Sequence, residues 1–163
     1  MDSIAYSTPT LTVIASIAVA IAGFSGVVVA LTGKTAASFS ALERLNLRIL
    51  LQVSAFALLF SLVPLILHRA FEPATAWRTS MLLYGLVHLM DAGFFLLKTR
   101  KLNSPSRLQR LAPAIGSAIA VVQLVLGLVG SIKFVELVYL LVLLWHLAIA
   151  GMGFVHLIFA SRD

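Results

Sequence analysis

The sequence predicts an all-α integral membrane protein, and three observations carry that prediction. Hydrophobic residues make up 61% of the 163-residue chain, well above the roughly 45–50% of a soluble domain. Charged residues are only 11% of the total and fall mostly between apolar runs. The runs reach about 20 residues, the length a helix needs to cross a bilayer. Five transmembrane helices are predicted, over 9–32, 42–67, 79–97, 111–129 and 134–160, as a single domain spanning 1–163.

The first span follows from the absence of any charge between Ser3 and Gly33. The Met-Asp-Ser start lacks the basic segment of a signal peptide, and the apolar run behind it is too long for one, so it is kept as a span. Ala18, Ala22, Gly26 and Ala30 recur every fourth position, placing small residues on one face that a second helix backbone can approach closely.

Ser40-Ala-Leu-Glu43 is a capping box that starts the second helix inside the preceding loop. Arg44 and Arg48, one turn apart, are predicted to anchor in lipid headgroups. Ser54, Ala57 and Ser61 form a second small-residue seam with Gln52 beside it, and Pro64 is expected to bend or end the helix. In the following loop, Trp77 and His68 are read as interfacial side chains, Trp77 as part of an aromatic belt.

The third span ends in the most basic loop, where Lys98, Arg100 and Lys101 are further headgroup contacts and Arg107 and Arg110 follow. Ser104-Pro105 reads as an N-cap with proline at the first helical position. Gly116, Ala120, Gln123 and Gly127 run down one seam of the fourth span, with Pro113 near its entrance. Gly130-Ser131 is a helix stop followed by a new cap, predicting a tight hairpin into the fifth span. That last span carries Glu136 in its first turns, His146 near its middle and His156 near its end.

A net charge of +6 would suggest nucleic acid in a soluble protein. At the ends of apolar spans it points instead to anionic lipid headgroups, with no nucleic-acid partner expected. The nine cations Lys34, Arg44, Arg48, Lys98, Arg100, Lys101, Arg107, Arg110 and Arg162 fall on one side of a five-span chain, against three, Arg69, Arg78 and Lys133, on the other. Positive residues stay inside, so the N-terminus is expected outside and the C-terminus in the cytoplasm. The seams of spans 1 and 2 further predict self-association or membership of a larger membrane complex.

The run Ala22-Gly-Phe-Ser-Gly26-Val-Val-Val-Ala-Leu31, with Arg44-Leu-Asn-Leu-Arg48-Ile-Leu-Leu and Trp77-Arg78-Thr-Ser80, resembles an uncharacterised group of small multi-pass bacterial inner-membrane proteins. The resemblance covers the N-terminal half. It implies a bacterial inner membrane and brings no activity and no site residue with it.

Chemistry concentrates on span 3. Tyr84, His88 and Asp91 lie at i, i+4 and i+7, so they line one stripe, in a run otherwise apolar enough to span a bilayer. A charge at that depth costs several kcal/mol unless it is paired or wetted, which makes an intramembrane Asp beside a His a candidate site. At ~1.5 Å per residue, Gln123 and His146 fall near the same level if spans 3, 4 and 5 are neighbours.

The first reading of this ring is a proton or small-cation pathway in a channel or transporter-like protein, because histidine titrates near neutrality. A structural role in ordering the bundle, as a non-catalytic subunit or scaffold, is the alternative. A b-type haem on His88 and His146 is a second alternative. A metal on His88, Asp91 and His146 lacks any supporting motif.

No cofactor or metal is expected on balance. The chain has no cysteine, which removes thiolate metal sites, covalent haem links and cysteine nucleophiles. Gly23-Phe-Ser25-Gly26 is one residue short of a hydrolase elbow and lies inside a span. An enzyme is therefore not expected.

Overall fold

In a computed structural model the described residues, 3–31, 38–99 and 107–160, form five helices and no strand. These are α1 (Ser3–Leu31), α2 (Ala41–Leu67), α3 (Pro73–Thr99), α4 (Arg107–Val129) and α5 (Ile132–Ala160). Four are long and apolar enough to cross a membrane, through Ser7–Leu31, Glu43–Leu67, Pro73–Leu97 and Ile132–Val155. In α4 the apolar stretch is shorter, Pro113–Val129. The most apolar stretch of α3 has a mean hydropathy of 1.6, the lowest of the four, and it carries His88 and Asp91.

The helix ends explain themselves locally. The Ser40 backbone N–H donates to Glu43 Oε2 at 2.7 Å and the Glu43 N–H to Ser40 Oγ at 3.2 Å, the reciprocal pair of a capping box. Arg44 Nη1 reaches back to the carbonyl of the buried Phe39 at 2.7 Å.

Pro64 does not end α2. It is buried one turn before the end, where it forfeits the backbone bond to the Phe60 carbonyl, and the helix continues to Leu67. There the Ala70 and Phe71 N–H groups both donate to Leu67 O.

Helix α3 begins at Pro73, a proline at the first helical position. Trp77 is consequently already in the second turn, on an inward face, and is fully buried rather than displayed as a belt residue.

Two residues separate α4 from α5, as a tight hairpin requires. The Gly130 N–H donates to Leu126 O at 2.8 Å, and a side chain on Gly130 would begin only 2.5 Å from that same oxygen. Only glycine fits there. Arg78 donates to Leu128 O at 3.2 Å and Gly130 O at 3.1 Å, so a cation satisfies the exposed carbonyls at the negative end of α4. Within the helices, hydroxyls of Ser16, Ser25, Ser80 and Ser117 donate to carbonyls four residues back, which makes them compatible with apolar surroundings.

The chain divides into two compact units, Met1–Ile66 with Leu141–Asp163, and Leu67–Leu140, so that α5 contributes to both. In the first, Leu11, Ile14 and Ala18 of α1, Leu50, Val53 and Ala57 of α2, and Leu143, Leu147 and Ala150 of α5 are buried. Ser54 and Ser61 are buried as well, so the whole small-residue seam of α2 is covered within the chain itself. The α1 seam differs along its length: Ala18 is buried, Ala22 half-buried, Gly26 and Ala30 exposed. Among the described residues, nothing lies within 4 Å of where a Gly26 side chain would begin.

In the second unit α3 and α4 pack closely. A side chain on Gly127 would begin 2.8 Å from Leu82 Cδ2. One on Gly85 would begin 3.1 Å from Gln123 Cβ. The sequence-predicted seam of α4, Gly116, Ala120, Gln123 and Gly127, is buried throughout.

Candidate functional site

The stripe on α3 extends beyond Tyr84, His88 and Asp91. Trp77, Ser80, Tyr84, His88 and Asp91 follow one another at three- and four-residue steps, so they share one face over about 21 Å of helix. Trp77 and Tyr84 are fully buried, and Tyr139 from the start of α5 lies edge-on to both, with ring centroids 5.5 and 5.4 Å away. Such edge-to-face pairs add about 0.5–1.5 kcal/mol each beyond area burial. The next ring along is His88, 6.1 Å from Tyr84 and inclined by 28°.

His88 is held between α3 and α4. Its Nδ1 is 2.9 Å from Gln123 Oε1. An amide oxygen only accepts, so Nδ1 carries the hydrogen and, in the neutral ring, Nε2 is the nitrogen with the lone pair. Nε2 stands 3.4 Å from where a Gly116 side chain would begin. The ring occupies space that the missing side chain leaves open. Gln123 is itself fully buried, and its Nε2 has no hydrogen-bond partner among the described residues. Trp77 Nε1 is in the same position. A buried donor left unsatisfied costs roughly 1–3 kcal/mol, so polar groups without a protein partner mark where a polar guest is most welcome.

Asp91 is half-buried, one turn from His88 and within its electrostatic range. The structure thus brings Tyr84, His88, Gln123 and Asp91 together in the second unit. His146 belongs to the first unit, where its Nδ1–H donates to Val142 O at 2.9 Å and its ring lies edge-on to Phe56, centroids 6.2 Å apart. No cluster of three metal-ligating side chains occurs among the described residues.

Arg44 and Arg48 are exposed on the first two turns of α2. Lys98 lies in the last turn of α3 with its side chain outside the described set, and Arg100 and Lys101 lie outside the described residues altogether. The cap Ser104-Pro105 and the side chain of His156 fall outside them too.

The contributions of Trp77, Tyr139, Arg78 and Gly116 go beyond what the sequence reading singled out. The first was within reach, because Trp77 precedes Tyr84 by two helical turns on the same stripe. Arg78 as a cap for α4 and Gly116 as the space for an imidazole depend on which helices pack together, and a single sequence does not encode that openly. No protein family, no curated protein and no solved structure matches the chain.

Proposed function

We propose that this is a small multi-pass protein of the bacterial inner membrane, a channel or transporter-like protein that handles protons or small cations at an intramembrane Asp91/His88 site. Five spans are included in the reading, with the N-terminus outside and the C-terminus in the cytoplasm. For α4 the 17 residues Pro113–Val129 equal the lower limit for crossing. Self-association enters through the exposed end of the α1 seam, Gly26 and Ala30, since the α2 seam is covered within the chain.

The observation that carries the reading is the pair His88–Gln123. A histidine with a fixed Nδ1–H bond and a lone-pair Nε2 accepts and releases a proton at one defined atom. Beside it, the unpartnered amide nitrogen of Gln123 offers a donor to water or a hydrated ion. Asp91, one turn further along α3 and less buried, is the group through which charge enters or leaves.

The second reading, a structural pin in a membrane subunit or scaffold, is favoured by the same 2.9 Å bond, because it ties α3 to α4 at a level where glycines let the helices close up. A b-type haem on His88 is less favoured. Nδ1 is engaged with Gln123, and Nε2 faces the α4 backbone at Gly116.

Proton flux in reconstituted liposomes tests the first reading. Asp91→Asn keeps size and hydrogen bonding but removes the titrating charge. The variant is expected to fold and assemble while flux falls and loses its dependence on pH across about 5–8. A wild type with no flux above empty liposomes under any gradient, or a real flux unchanged by Asn, removes Asp91 as a station.

A further inference from the structure

At the start of α2 the first unit carries an open groove of about 610 Å³, within the size range of small-ligand sites. Its walls are apolar, with Val29 from α1, the buried Phe39, and Leu51 from α2. One edge is not: Arg44, Arg48 and Gln52 succeed one another at four-residue steps, a column of donors with ~6 Å between successive members. Among the described residues that line the groove there is no acidic side chain. The neighbouring Glu43 accepts from the Ser40 N–H at 2.7 Å in the capping box. Arg44 donates one hydrogen to Phe39 O at 2.7 Å, which fixes its stem at the groove, and a guanidinium has five N–H donors in all.

We propose that this groove binds one anionic phospholipid. The phosphate rests on the Arg44 and Arg48 guanidinium groups, whose planar fork matches phosphate oxygens. Gln52 lies one turn deeper and donates its amide to a glycerol ester carbonyl, and an acyl chain follows Leu51 and Val29. The apolar walls argue for a lipid rather than free phosphate, and the net charge of the lining argues for an anionic one. The site is separate from His88 and Asp91 and holds whether or not they carry protons.

Native mass spectrometry of the full chain in mild detergent tests it, with phosphatidylglycerol and phosphatidylcholine as probes. Wild type is expected to retain one phosphatidylglycerol at least several-fold more tightly than phosphatidylcholine. Arg44→Gln with Arg48→Gln should reduce that retention by about tenfold or more, each cation near a bilayer surface being worth several-fold. Leu51→Trp keeps both cations but fills the apolar wall, and should lose the lipid too. Lys133→Gln, an exposed cation of the second unit, should not.

Equal retention of the two lipids by wild type overturns the proposal, and so does undiminished binding by the arginine variant. If Leu51→Trp binds like wild type, charge alone holds the lipid and the groove is not the site. Displacement of phosphatidylglycerol by millimolar inorganic phosphate reassigns the groove to a free anion. Should the double variant fail to reach wild-type helicity, Arg48→Gln alone and Leu51→Trp decide the matter.

Discussion

Two stripes of small residues that look alike in the sequence meet different fates. On α4, Gly116, Ala120, Gln123 and Gly127 are all buried, and α3 comes so close that a side chain on Gly127 would overlap Leu82. On α1, the stripe Ala18, Ala22, Gly26, Ala30 is covered only at its beginning, and Gly26 has open space around it. Small side chains permit close approach without choosing a partner. What distinguishes α4 is the polar residue within its stripe: Gln123 has His88 to bond, and that bond fixes which helix lies opposite and at what register.

Substitution at the two glycines should separate the stripes most widely. Gly127→Val drives a branched side chain into Leu82 and is expected to destabilise by about 1–3 kcal/mol, the usual cost of overpacking. Gly26→Val, in open space within a single chain, should change the stability of the monomer by no more than about 0.5 kcal/mol, its cost falling instead on self-association through the α1 seam. Thermal unfolding in a single detergent measures both. Equal effects would mean that α1 is packed against something, a second copy of the chain being the first suspect.

Gln123→Leu sharpens the role given to the polar residue. It retains the bulk but leaves the His88 Nδ1–H without its acceptor, a cost of about 1–3 kcal/mol that the simultaneous removal of the unpartnered Gln123 Nε2 partly offsets, so the net loss lies toward the lower end of that range. Unchanged stability would show that the small residues alone hold α3 to α4. A smaller effect, about 1 kcal/mol, is expected from Ser40→Ala, which removes one half of the capping box at α2. Hydrogen exchange at the first turn of α2 should rise in that variant, with α3 and α4 unaffected.

The elements were largely legible because their signals are local. Uncharged runs mark the helices, Ser40 and Glu43 mark the start of α2, and Gly130-Ser131 marks the turn before α5. Each is decided by residues within a turn or two of one another. Trp77 departs from the interfacial place expected of it for a related reason. Its position near a loop suggested an interface, but Pro73 starts α3 early and the ring turns inward against Tyr139.

The site was legible in part. Tyr84, His88 and Asp91 share a stripe by helical periodicity alone, and Gln123 sits at a matching depth by counting residues. That Gln123 takes the His88 Nδ1 bond, that Gly116 accommodates the ring, and that Arg78 closes the end of α4 depend on packing between helices. Many arrangements of the same five apolar helices satisfy the pattern of the sequence, and the polar contacts select among them.

If His88 carries charge rather than merely pinning two helices, His88→Gln separates the two roles when flux and stability are read on the same preparation. Glutamine can still donate to Gln123 Oε1 but offers no basic nitrogen. Thermal stability is then expected within about 1 kcal/mol of wild type, with proton flux into liposomes lost or made independent of pH. Flux that persists unchanged in the Gln variant while stability drops would contradict it and leave His88 as a structural pin.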